Sequence, residues 1–117
     1  MKQTFGPHIR KLRKDEGISL RKFAELLGIS PTCLSRLENE KVDPPSQDLV
    51  LRMATQLGED PYELLAMARK IHPELPEIIQ SEPREMSLLL RAAKNLSVKE
   101  LQELRKKAER MKVGTKT

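Results

Sequence analysis

Seven basic residues crowd the first third of this 117-residue chain: Arg10, Lys11, Arg13 and Lys14 in one run, then Arg21, Lys22 and Arg36. Cationic side chains gathered on one face are the electrostatic footprint of phosphate binding. The same row also serves simply to keep a helix face solvated, and charge alone does not choose between the two. Residues 1–41 carry nine bases and five acids, residues 42–96 six and nine, and residues 97–117 seven and three, so two basic ends flank an acidic middle. Other chemistries lack their parts. There is no glycine-rich phosphate loop and no nucleophile spaced from a base, so an enzyme is not expected. A single cysteine, Cys33, and two separated histidines, His8 and His72, make a poor zinc site, and neither a metal nor a cofactor is expected. Cys33 reads as a small, half-buried packing residue. The alternative is a redox-active thiol in the first turn of a helix.

Composition bounds the scaffold that positions these groups. Charged residues are 33% of the chain and hydrophobic ones 38%, a mix that suits a soluble folded protein. Aromatics are only 3% with no Trp, so the core must be built of Leu, Ile, Met, Val and Ala, as in helix bundles. No apolar run approaches the roughly 18 residues of a membrane span, and the first residues, MKQTFGPHIRKLRKDEG, hold no secretory-type apolar stretch. The expectation is a cytoplasmic protein with no membrane partner and no disulfide.

Helix punctuation divides the chain. Thr4 is a cap for a first helix with Phe5, Ile9 and Leu12 on one face, ended by Gly17. Ser19 caps a second, with Phe23, Ala24 and Leu27 inward and Gly28 closing it in the left-handed conformation. Ser30 and Pro31 start a third that buries Leu34 and Leu37. A fourth is capped near Ser46, with Leu49, Met53, Ala54 and Leu57 inward, and Gly58 ends it. Asp60, Pro61 and Glu63 open a fifth, which runs to about Lys70. Prolines 73, 76 and 83 make residues 71–82 a linker with at most a short turn of helix. Beyond it lie a sixth helix with Met86, Leu89, Leu90 and Ala93, and a seventh opened by a Ser97–Glu100 capping box, with Leu101, Leu104, Ala108 and Met111 spaced three, four, three. Residues 113–117 are expected to be a disordered tail. No segment alternates with period two, so the fold class is all-α: five helices in residues 1–70, then two C-terminal helices in residues 83–112.

The informative unit is SLRKFAELLGISPTCLSRLENEK, residues 19–41. Two short helices joined through Gly28 and Ile29 must cross steeply, and Ala24 lies where the third helix passes closest, so a small residue is needed there. The pattern is a helix-turn-helix. From about Thr4 to Ala68 the chain resembles the Cro/phage-repressor (xenobiotic-response-element, XRE) family of DNA-binding domains. In that family the third helix enters the major groove and the start of the second abuts the phosphate backbone.

Position by position, the resemblance implies that Pro31, Thr32, Ser35 and Arg36 face base edges. Arg36 is the principal reader, because its planar fork bonds guanine O6 and N7 together. A phosphate clamp or an ion pair with Glu40 is its bland alternative. Ser19, Leu20, Arg21, Lys22, Asn39 and Lys41 are the implied phosphate contacts, Leu20 through its backbone N–H. Arg13 and Glu38 match an ion pair that ties the first helix to the third. Two positions depart from the family. Leu20 replaces a common Gln, and Glu40 replaces a common Gly, where a carboxylate is repelled by phosphate unless Lys41 or Arg36 neutralises it and the loop geometry is expected to change.

The C-terminal leucines need a partner surface of their own. Dimerisation through Met86, Leu89, Leu90, Leu101 and Leu104 suits a reader of double-stranded DNA, since two copies on a two-fold axis read half-sites about 34 Å apart. The expected function is therefore a sequence-specific transcriptional regulator, a repressor that binds a palindromic operator as a homodimer. The alternative is an antitoxin or adaptor whose C-terminal helices take a protein; the resemblance admits a metallopeptidase or a toxin in that role.

Overall fold

The computed structural model describes residues 4–114, and among these every regular element is a helix. They are α1 (Phe5–Asp15), α2 (Leu20–Leu27), α3 (Pro31–Glu38), α4 (Gln47–Leu57), α5 (Pro61–Met67), α6 (Glu74–Ser81), α7 (Pro83–Ala93) and α8 (Val98–Gly114). The chain divides into two units, residues 1–75 and 76–117.

In the first unit the helix starts are set by side-chain oxygens that satisfy first-turn amides. Ser19 accepts from the Lys22 N–H at 3.1 Å, Ser30 from Cys33 at 3.0 Å and Ser46 from Leu49 at 3.4 Å. Asp60 accepts from both Tyr62 and Glu63, at 2.8 and 3.2 Å. Thr4 has the extended backbone of a cap, but its side chain makes no capping bond. The apolar stripes meet in one core: Phe5 and Ile9, Phe23, Ala24 and Leu27, Leu34 and Leu37, then Leu49, Val50, Met53, Ala54 and Leu57, with Leu64, Leu65 and Ala68 from the region of α5. Helix α3 packs on both α1 and α2, and α4 on α2 and α5. Helix α3 is thus gripped from two sides.

The second unit is built differently. Neither α6 nor α7 holds a buried residue, and the described side chains of α8 are all exposed. Ser97 and Glu100 form a reciprocal capping box, each side chain bonding the other's backbone N–H, at 3.1 and 2.9 Å. The Ser97 backbone N–H, foremost, holds the Glu100 carboxyl below its ordinary range. Among the described residues no helix is long and apolar enough to cross a membrane.

Where the prolines predict at most a short turn, residues 74–81 form the two turns of α6. Pro76 is its third residue, where the amide has no carbonyl to bond within the helix, so the missing N–H costs nothing. Helix α8 continues through Gly114, into the expected tail; the remainder of that tail, residues 115–117, lies outside the described residues.

Candidate nucleic-acid interface

The turn between α2 and α3 is fixed by three bonds. Gly28 adopts φ 73° and ψ 29°, which lets its own N–H reach Glu25 O at 3.1 Å and the Ile29 N–H reach Ala24 O at 3.0 Å. A third bond arrives from α4, where Arg52 Nη1 donates to the Leu27 carbonyl at 2.6 Å. A Cβ on Gly28 would meet only Arg52 Nη1, at 3.7 Å. Glycine is required there for its dihedral angle and not for space. Ala24, fully buried, gives the close crossing of the two helices.

The inner face of α3 is bolted down. Leu34 and Leu37 enter the core, and Glu38 is 2% exposed. Arg13 Nε donates to Glu38 Oε2 at 2.7 Å and Nη2 to Oε1 at 2.9 Å, a two-pronged pair. The third nitrogen of that guanidinium, Nη1, bonds the Ile18 carbonyl at 2.9 Å, so α1, α3 and the start of the α2 region share one charge. The Glu38 hydrogen bond raises the Arg13 pKa above its ordinary value against the opposing effect of burial. Gly6 completes the fit: a Cβ there would lie 2.4 Å from Leu37 O and 2.8 Å from Glu38 O. Helix α1 lies against the backbone of α3 at a distance only a glycine permits.

The outer face of α3 is bare. Pro31, Thr32 and Arg36 are exposed and Ser35 is half-buried. Arg36 takes part in none of the ion pairs among the described residues, with Glu40 or otherwise. Ser19, Arg21 and Lys22 stand exposed at the start of α2, where the first-turn amides of Leu20 and Arg21 point out of the helix without an upstream carbonyl. The Leu20 side chain is half-buried against the core. Asn39 and Lys41 are exposed after α3. Asn39 is held in place: its Nδ2 donates to Ser35 O at 2.9 Å, and its Oδ1 accepts from Arg10 Nη2.

Two expectations are corrected. Cys33 is exposed and not half-buried, because Leu34 and Leu37 define the inner face and the residue before Leu34 is rotated about 100° away from it. The loop at Glu40 keeps the geometry a glycine would give: Glu40 has φ 56°, and the Lys41 N–H bonds Arg36 O at 2.9 Å. Sequence reasoning passes over Gly6 and Arg52, and counts Arg10 only as one charge in a basic run. Each acts through a contact 25 or more residues away, and the only local signal was a glycine early in a helix, which costs helix stability unless a close approach requires it.

Residues 9–64, from the middle of α1 to the middle of α5, match the family described as Helix-turn-helix. The chain belongs to the XRE-type helix-turn-helix family. It is accordingly a DNA-binding transcriptional regulator. The crystal structure of the master regulator for biofilm formation SinR in complex with DNA is 29% identical over 53% of this chain and 98% of that one, with a TM-score of 0.49. The clp gene regulator ClgR from C. glutamicum is 32% identical over 56% and 83%, with a TM-score of 0.47. The SinR protein/SinI protein complex is 24% identical over 94% and 99%, with a TM-score of 0.50, a likeness of fold. No curated protein matches.

In this XRE-type regulator the exposed face of α3 and the leucine-rich helices belong to different units. Leu89 and Leu90 of α7 are 50% and 54% exposed, Leu101 and Leu104 of α8 are 42% and 36% exposed, and Met86 is half-buried.

Proposed function

We propose that this regulator is a repressor that reads a palindromic operator in double-stranded DNA as a homodimer, and that occupying the operator excludes polymerase. One observation carries the reading: the inner face of α3 is anchored to α1 and α2, while Pro31, Thr32 and Arg36 project from its outer face with Ser35 beside them. Arg36 and its neighbours contact bases; Ser19, Arg21, Lys22, Asn39, Lys41 and the Leu20 N–H contact phosphates. The second copy is supported by the exposed leucines of residues 83–112, which have no core of their own and would be too costly to leave in water.

Selection of bound sites from random duplexes tests the reading at once for affinity, symmetry and spacing. Arg36→Ala should then cost about 1–3 kcal/mol at the selected site and relax one base pair, whereas Arg21→Ala should weaken every sequence and flatten the salt slope by about one. Equal effects of both on specific and random DNA would overturn the assignment. Leu89→Asp with Leu104→Asp should give a helical monomer by sedimentation. A wild-type mass of one chain would refute the homodimer and turn those leucines toward a different protein.

A further inference from the structure

The Arg10 side chain of helix α1 reaches the C-terminal end of α3. Arg10 Nε lies 3.6 Å from Glu38 Oε1, and its Nη2 donates to Asn39 Oδ1. A guanidinium has five donors and no acceptor, so the Asn39 amide must turn its oxygen toward Arg10. Its NH2 group is thereby aimed the other way, at Ser35, donating to the carbonyl at 2.9 Å and approaching the hydroxyl Oγ at 3.4 Å. With a donor facing one lone pair, the Ser35 hydroxyl has its single proton left to give elsewhere. Ser35 adjoins Arg36 and lies one turn beyond Thr32 on α3.

We propose that Arg10 and Asn39 act as a relay that fixes Ser35 as a hydrogen-bond donor, so that the operator carries an acceptor edge at the base Ser35 meets. This rests on the reading of α3 as the base-contacting helix. In the major groove guanine, adenine and thymine each present an acceptor, whereas cytosine presents only its N4 amino donor. The relay therefore selects against cytosine at one position of the half-site. Arg10 is a positioning residue here: it touches no base and acts through the orientation of an amide.

The test is site selection from random duplexes with the full chain and three variants, each checked for an intact thermal transition. The wild-type chain should disfavour cytosine at one position by roughly two- to tenfold, the range of one hydrogen bond, and Ser35→Ala should erase that preference alone. Asn39→Asp makes the neighbour an acceptor, so the Ser35 proton turns inward and its oxygen faces the base; the preference should move toward the amino donors of cytosine or adenine. Arg10→Gln frees the amide to flip and should flatten the same position while leaving the salt slope unchanged. A slope lowered by about one would instead make Arg10 a direct phosphate contact and overturn the relay. Selective binding by the wild-type chain, with that position unaltered in Asn39→Asp or Arg10→Gln, also overturns it, and if one variant does not fold the other decides. Absence of any selective binding by the wild-type chain defeats the DNA-reading assignment itself.

Discussion

Removing Glu38 should do more harm than removing it together with Arg13. Both side chains are buried, at 2% and 7% exposure, and the pair is joined by two charge-assisted bonds of 2.7 and 2.9 Å. Glu38→Ala leaves the Arg13 guanidinium in the interior with the Ile18 carbonyl as its remaining partner, and leaves Arg10, formerly 3.6 Å from the same carboxylate, close to a like charge. Breaking one side of a buried pair costs about 3–5 kcal/mol, whereas replacing both partners by apolar side chains of similar volume is often close to neutral. Glu38→Ala should therefore lower the thermal midpoint of the first unit by at least about 12 °C, taking about 4–8 °C per kcal/mol for a domain of this size. Arg13→Met with Glu38→Leu should recover to within about 1 kcal/mol of the wild-type chain. Urea unfolding of the two single variants and the double variant closes the cycle. Because the pair is shielded from solvent, its coupling should survive 1 M salt, unlike that of the exposed Lys11–Asp15 pair. Single variants that cost under about 1 kcal/mol, or costs that simply add in the double, would refute the view that this charge pair holds the third helix.

Two glycines should fail for different reasons. Gly28→Ala makes only an ordinary contact with Arg52 Nη1 at 3.7 Å and pays for a left-handed backbone, about 1 kcal/mol by denaturant unfolding, while Gly6→Ala drives a methyl into the backbone of α3 and should cost about 1–3 kcal/mol and shift the Leu37 and Glu38 amide resonances. Glu40→Gly should stabilise the first unit by about 1 kcal/mol, because Glu40 already holds φ 56°, and should also tighten binding to every duplex by removing a carboxylate from beside the phosphates; a stabilised chain with unchanged affinity would place Glu40 away from DNA. The Glu100 carboxyl is held below its unfolded value, so its contribution to α8 is fully present above that ordinary carboxylate value and is lost as the pH falls through the lower folded one. Helical ellipticity should decline over that acid range in the wild-type chain and show no such step in Glu100→Gln.

The helices of the first unit were legible in the chain because their signals are local. A serine or aspartate oxygen bonds an amide two or three residues on, and a glycine closes a helix with its own dihedral angle; Ser19, Ser30, Asp60, Gly28 and Gly58 each declare a boundary within one turn. The apolar spacing of Phe23, Ala24 and Leu27, and of Leu34 and Leu37, likewise marks the buried face from the sequence, and with it the face left exposed. Cys33 shows the limit of reasoning by residue size: its neighbour decides which way it points. The helix over residues 74–81 shows the limit of reasoning by proline, since position within the helix settles whether the missing N–H matters.

What only the folded arrangement decides is how α3 is held. Gly6 looks like a poor helix residue until α3 is laid across it. Arg10, Arg52 and Asn39 look like surface polar groups until the chain brings partners from distant elements to them: Glu38 and Asn39 to Arg10, the Leu27 carbonyl to Arg52. Periodicity and caps report on neighbours one turn apart, because that is the reach of a helix's own bonds. A contact spanning 25 residues exists only after the hydrophobic faces have met and fixed the distance between two backbones, so its geometry is a property of the packed core and not of any segment within it.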